Sequence, residues 1–345
     1  MGVFSTGGVG IDMGSANVTI CLENEGVVLR EPSYVLALRD DADEILAVGR
    51  DARQMLGRTP KDVALLSPVQ GGAVADVESA AAMLRSLSEK ALGKRRALEK
   101  SPLVVALAQG CTRVETAAME NVVRSAGARR AALLRTPVAA ALGAGVPVDD
   151  ACGCMVVVIG GSTTEVSVLS MNGVAAARSA RTGSLSIDEA IVRHIRREKG
   201  LIIGQRTAED LKIDLASAAM QFDGREEVTL RGRDARTGKP STVTITAQDV
   251  RNAILPPLDA LMESIREAFE NTPAEMAEDI LRRGIFLSGG GALLEGLPER
   301  LGEMLNLPVT VGENPQDDVA AGCCAAAADD RIAQRFLQSG CLIEL

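Results

Sequence analysis

The sequence predicts a mixed α/β protein of two related lobes, and three observations lead there. A strand–turn–strand–turn–strand unit near the start returns near the middle of the chain. Apolar strands alternate with helices of 3.6-residue rhythm, and three glycine-rich turns each follow an apolar strand. The first unit comprises Val9–Gly14, Asn17–Leu22 and Gly26–Arg30, with Gly14-Ser15 and Asn24-Glu25-Gly26 as its turns. The second copy runs through Met155–Ile159, Gly160-Gly161-Ser162, Glu165–Met171, Asn172-Gly173 and Val174–Arg181, which places Gly160 146 residues after Gly14. That period is too long for a solenoid and fits duplicated lobes.

The elements between and beyond the copies follow in order. Asp76–Leu92 carries Val77, Ala80, Ala81, Leu84, Leu87 and Ala91 at helical spacing and stops at Gly93. A strand at Leu103–Ala108 precedes a helix at Arg113–Ala126. Ser186 with Glu189 three residues on reads as a capping box, opening a helix with Ile187, Ile191 and Ile195 on one face. Arg193, Arg196, Arg197 and Lys199 fall in its last turns before Gly200, where cations suit the helix dipole. Val228–Leu230 and Val243–Thr246 read as a hairpin about Gly238-Lys239-Pro240. Asp249–Glu270 predicts a long helix kinked or broken at Pro256-Pro257. Ile285–Leu287 is a buried strand entering Ser288-Gly289-Gly290-Gly291, with a helix expected over Ala292–Leu301.

Composition removes several functions. Of 345 residues, 46% are hydrophobic but only 2% aromatic, with no Trp, one Tyr and five Phe, so no platform exists for stacking bases. The net charge of −9 disfavours phosphate-backbone binding, and a nucleic-acid partner is not expected. One histidine, His194, excludes a His-rich metal site, and it falls inside a helix where a structural role is expected. Neither Cys152/Cys154 nor Cys323/Cys324 has zinc-site spacing; the seven cysteines read as reduced, mostly buried thiols. The chain has no stretch of 18 uncharged apolar residues and no signal-like start, which points to the cytoplasm.

The glycine turns carry the chemistry. Asp12-Met13-Gly14-Ser15, Gly160-Gly161-Ser162-Thr163 and Ser288-Gly289-Gly290-Gly291 let backbone N–H groups approach anionic oxygens, and Ser15, Ser162 and Thr163 add hydroxyl donors. Two such turns in a repeated unit, with a third near a helix, point to nucleotide binding; the plainer alternative is turn geometry retained without a ligand. Gly8-Val9-Gly10 lacks a preceding strand, and Gly232…Gly238-Lys239 fails P-loop spacing.

At this point the sequence resembles the MreB family of bacterial actins. Ile11-Asp12-Met13-Gly14-Ser15-Ala16-Asn17 is similar to that family's first phosphate turn, and Leu287–Leu294 to its third. Gly49-Arg50, Met55-Leu56-Gly57-Arg58-Thr59-Pro60, Ala139–Gly145, Met155–Val166, Asp188–Ile191 and Gly232-Arg233-Asp234 also resemble family stretches, from about Val9 to about Ala325. The resemblance implies an actin-like fold (the ASKHA/ribonuclease H-like class) with a duplicated βββαβα core. It implies lobe I over 1–145 with a small insert at about 32–75, and lobe II over 146–315 with an insert at about 182–250. Residues 316–345 would return to lobe I. It further implies ATP or ADP with Mg²⁺ between the lobes. Asp12, Gly14, Ser15, Ala16 and Asn17 would face the phosphates, with Asp12 holding the metal through water. Gly160, Gly161, Ser162 and Thr163 would form the second turn. Glu209, Asp210, Leu211 and Lys212 would hold ribose and base, and Gly289, Gly290, Gly291, Ala292 and Leu293 would close over the adenosine. Filaments on the inner membrane face, self-assembly or co-assembly with a paralogous bacterial actin, and contact with the wall-synthesis machinery are implied as well.

The departures from the family fall on the chemistry. The aspartate that opens the second turn is here Val158, and the water-positioning glutamate is Thr136 in Arg135-Thr136-Pro137. Ser162 replaces a glycine; Gln109-Gly110 and Gly183-Ser184-Leu185 also differ. Loss of one carboxylate weakens a magnesium site, and a threonine hydroxyl does not accept water's proton as a carboxylate does. Slow or absent hydrolysis is therefore expected, with at most a weak ATPase. A working ATPase or kinase of the same fold, and a non-polymerising regulator of another bacterial actin, are the rivals. For membrane contact, Lys94-Arg95-Arg96-Ala97-Leu98, Phe336-Leu337 and Leu342-Ile343 are the candidate segments.

Overall fold

In the computed structural model, which describes residues 7–39, 44–93 and 96–345, two central sheets share one plan. The first has six strands in the order Leu342–Glu344, Ala131–Arg135, Leu103–Leu107, Val9–Met13, Asn17–Leu22, Gly26–Pro32. The second has five: Gly173–Ala180, Thr164–Ser170, Cys154–Ile159, Ile285–Ser288, Val309–Val311. In both, the opening strand pairs antiparallel with its successor on one side and parallel with a later strand on the other. The copies also agree in register, with Asp12 opposite Thr19 in one and Val158 opposite Glu165 in the other.

Apolar alternation explains why each sheet is covered. Ile11, Ile20, Leu103 and Leu133 pack under Leu84 and Leu87 of the helix Val77–Leu92. Met155, Ile159 and Leu287 pack under Leu261 and Ile265 of the helix Ala247–Glu270. Two small sheets stand apart: Ile45–Val48, Val35–Leu38 and Val63–Leu66 form one, Leu201–Ile202, Glu227–Asp234 and Pro240–Thr246 the other. The last is longer than the hairpin expected from sequence.

Between the sheets, helices Thr136–Gly143 and Asp318–Ala328 cross at backbone contact. A Cβ on Gly143 would lie 1.9 Å from the Asp318 carbonyl oxygen, and one on Gly322 1.8 Å from that of Ala139, so only glycine permits this approach. The crossing fixes the N-terminus of Thr136–Gly143, and with it Thr136.

Three expectations about helix ends and continuity are corrected. The helix predicted to start at a Ser186 capping box begins at Ser184, with Gly183 as N-cap and no side-chain cap. The backbone N–H groups of Ser184 and Leu185 instead donate to the carbonyls of Gly160 and Gly161, so the glycine turn caps the helix. The helix with Pro256 and Pro257 runs unbroken from Ala247 to Glu270. Pro256 is exposed, while Ile254, Leu258 and Leu261 on the inner face hold the helix in place. Ala292–Leu301 is not one helix: a 3-10 turn at Gly290–Leu293 is followed by Gly296 in left-handed conformation and a helix at Leu297–Leu305.

Of the membrane candidates, Lys94 and Arg95 lie outside the described residues. Leu98, Phe336 and Leu342 are in the core, 3%, 1% and 5% exposed, and so do not present an apolar surface to lipid. Leu337 is exposed. Among the described residues no helix is long and apolar enough to cross a membrane.

Candidate functional site

The carboxyl ends of the opening strands face each other across a cavity of about 420 Å³ lined from both sheets. The first turn is closed by the Gly14 N–H donating to the Asn17 carbonyl at 3.0 Å. The second repeats the device, Gly160 N–H to the Thr163 carbonyl at 2.8 Å. Across the gap the Ser162 hydroxyl donates to that of Ser15, so the two turns meet hydroxyl to hydroxyl. The third turn abuts the second sheet: Gly289 has φ +83°, and a Cβ there would lie 2.4 Å from the Ile159 carbonyl oxygen.

Asp12, Gly14, Ser15, Ala16, Asn17, Gly160, Gly161, Ser162 and Thr163 all line this cavity, as do Glu209, Lys212, Gly289, Gly290, Gly291 and Leu293. Asp210, Leu211 and Ala292 do not: Asp210 is exposed, Leu211 packs in the core of the second small sheet, and Ala292 is buried beneath its turn. Glu209 and Lys212 are already engaged. Glu209 forms an ion pair with Arg53, joining the helix Gly49–Arg53 to the helix Gln205–Leu215. The Lys212 ammonium donates to the Asp188 carboxylate at 3.0 Å and to the Ser184 carbonyl at 3.3 Å. Burial pushes Asp188 up to about 6, with Lys212 pulling it back.

The end of the cavity at the first two glycine turns is acidic. Burial raises Asp12 to about 6, and among the described residues no group hydrogen-bonds its carboxylate. Burial likewise raises Glu165 to about 7, opposed by hydrogen bonds from the Gln109 N–H (2.6 Å) and the Thr163 hydroxyl (3.3 Å). Asp12 raises Glu165 further, and Arg135 lowers it. Val158 and Thr136 line the same cavity, and Glu165 stands opposite Val158 in the sheet.

Sequence reasoning missed Glu165, Thr19 and Ile213. Glu165 and Thr19 are 2% and 3% exposed and line the cavity. The available signal was a lone charged residue in a strand otherwise of Thr, Ser, Val and Leu, at the position that the repeat equates with Thr19. Ile213 and Leu293, 70% and 57% exposed, are apolar groups on the cavity wall suited to the faces of a flat ring.

Comparison with known proteins bears on this cavity. A profile of the MreB/Mbl protein family matches residues 6–335. The chain is 41% identical over 327 residues to the cell shape-determining protein MreB of Escherichia coli, covering 93% of each. It is 39% identical over 315 residues to the cell shape-determining protein Mbl of Bacillus subtilis, covering 91% of this chain and 93% of that one. Among solved structures it resembles MreB5 of Spiroplasma citri bound to AMPPNP, with TM-score 0.87, 28% identity, and coverage of 96% of this chain and 98% of that one. The MamK double helical filament, 18% identical at TM-score 0.73 and covering 93% of this chain and 98% of that one, shares the fold.

Proposed function

The chain belongs to the MreB/Mbl family, and from that premise we propose that it is a bacterial actin whose inter-lobe cavity takes ATP or ADP and whose filaments serve cell shape. The observation that carries this reading is the cavity itself, closed by three glycine turns and built on duplicated strands. The turns offer N–H and hydroxyl donors to phosphates, and Ile213 with Leu293 offers apolar surface to a base. The solved structures of S. citri MreB5 with AMPPNP and with ADP support nucleotide as the ligand class.

The residues at the phosphate end suit magnesium, a hard cation held by one or two carboxylates together with phosphate oxygens and waters. Asp12 offers an unengaged carboxylate, and the hydroxyls of Thr19 and Thr136 add oxygen donors. Bound there, the cation would neutralise charge developing on the phosphates. Hydrolysis is slow, because the wall that would activate water carries Thr136, whose hydroxyl orients a water without accepting its proton, and Val158, which does neither. Assembly into filaments, alone or with a paralogous bacterial actin, needs preserved subunit faces more than a fast ATPase. Association with the inner membrane face and with wall-synthesis proteins is part of the proposal and would rest on filament avidity.

Equilibrium dialysis of the purified chain with ATP and with ADP tests the reading. One nucleotide per chain is expected; absence of binding at millimolar nucleotide would overturn it.

A further inference from the structure

We infer that Glu165 is the lobe-II carboxylate that positions the metal-bound water shell at the phosphate end of the cavity, taking over from the position occupied by Val158. The inference rests on the nucleotide reading above and concerns how this particular chain serves that site after losing the second-turn aspartate.

Register is the first argument. Residues directly opposite in an antiparallel pair share a face, with Cβ atoms about 5 Å apart. Val158 and Glu165 are such a pair, and Asp12 and Thr19 are the corresponding pair in the other lobe. Each of these strand pairs thus presents one carboxylate to the cavity, from its first strand in lobe I and from its second in lobe II. The second argument is accessibility of lone pairs. Each Glu165 oxygen accepts a single hydrogen bond, one from the Gln109 N–H and one from the Thr163 hydroxyl, leaving acceptor capacity on the cavity side. Third, the surroundings are prepared for a ligand. Thr19 and Thr136 line the cavity with hydroxyls that no group among the described residues engages, and Asp12 is equally unpartnered there. Open to the cavity, these oxygens are free to hold waters or a cation shell.

The competing role for Glu165 is a strut, holding the Gln109 loop of one lobe to the strand of the other. Glutamine separates the two roles, because Glu165→Gln keeps an oxygen for the Gln109 N–H and removes the charge. The experiment is a titration of the full chain with a fluorescent ATP analogue, once in EDTA and once in Mg²⁺, taking the ratio of the two affinities. Wild type is expected to bind more tightly with Mg²⁺. Glu165→Gln should bind no more weakly in EDTA, less strongly in Mg²⁺, and so lower the ratio by about tenfold, as loss of an outer-shell carboxylate does at metal sites. Glu165→Asp should lower it less, and adding Val158→Asp to Glu165→Gln should restore it. A Glu165→Gln protein with the wild-type ratio overturns the inference, as does an equal loss of affinity in EDTA and Mg²⁺, which marks a strut. If Glu165→Gln does not fold, a Glu165→Asp protein with an unchanged ratio overturns it equally. Wild type that binds in neither condition removes the nucleotide reading and this inference with it, an outcome distinct from the others.

Discussion

Thr136 and Val158 line the cleft, and the proposed slow hydrolysis rests on them. Placing a carboxylate at Thr136, on the cavity wall, supplies the missing proton acceptor, and general-base catalysis is worth about 10²–10⁴-fold. Thr136→Glu should therefore raise phosphate release by at least an order of magnitude in a coupled assay; no change would show that hydrolysis is limited elsewhere. Glu165 makes a second prediction. Its carboxyl titrates near 7 in the fold against an ordinary value of 4.5, so between those values the folded chain holds a proton that the unfolded chain has released. Stability of the ligand-free protein should thus fall as pH rises from about 4.5 to about 7, by about 3 kcal/mol from this group. Asp12, raised from 3.8 to about 6, contributes in the same direction at slightly lower pH. Melting curves across this range should show the fall, and Glu165→Gln should flatten it. At this scale the sequence was partly legible. The glycine turns could be read because they recur after apolar strands in a repeated unit, and Asp12 through the resemblance to the family's first phosphate turn. Glu165 could not, because its importance lies in standing opposite Val158, and register is not visible before strands are paired.

The elements show why some ends were legible and others were not. Asp76 accepts from the Ser79 N–H and Gly93 is left-handed, so the helix Val77–Leu92 is bounded by local chemistry that its own residues spell out. Ser184–Lys199 is capped instead by carbonyls of a turn more than twenty residues upstream, and Ser186 spends its hydroxyl on the Gly183 carbonyl. The two prolines of Ala247–Glu270 predicted a kink or break, and the helix passes through them without a break, its inner face packed in the core. Relieving the missing N–H and ring clash at exposed Pro256 by Pro256→Ala should raise stability by about 1 kcal/mol or more, seen as a higher denaturant midpoint. The glycine crossing gives the opposite sign. Gly322→Ala drives a methyl into the Ala139 carbonyl, so the helices must separate at a cost of about 1–3 kcal/mol. Because that crossing seats Thr136, the variant should also weaken ATP binding.

For the whole molecule, the internal repeat was the most informative feature of the sequence. An offset of 146 residues foretold two sheets of one plan, and the paired registers Asp12/Thr19 and Val158/Glu165 carry that duplication down to single residues. The side contacts that set lobe against lobe were not legible, being ion pairs between distant segments. Arg53 pairs with Glu209, which lines the cavity, and Arg181, just past the strand Gly173–Ala180, pairs with Glu115 of the helix Arg113–Ser125. Partly exposed pairs contribute little to stability, about 1 kcal/mol or less. Arg53→Ala should thus leave melting nearly unchanged while speeding nucleotide release, measured by stopped-flow chase. The claim that joins these scales is that nucleotide in the cleft governs assembly of a family member with an altered catalytic wall. Sedimentation with negative-stain microscopy tests it most directly, comparing the purified chain without nucleotide and with Mg-ATP. The account predicts filaments that pellet with Mg-ATP and are absent or sparse without it; a chain that stays in the supernatant in both conditions would contradict it.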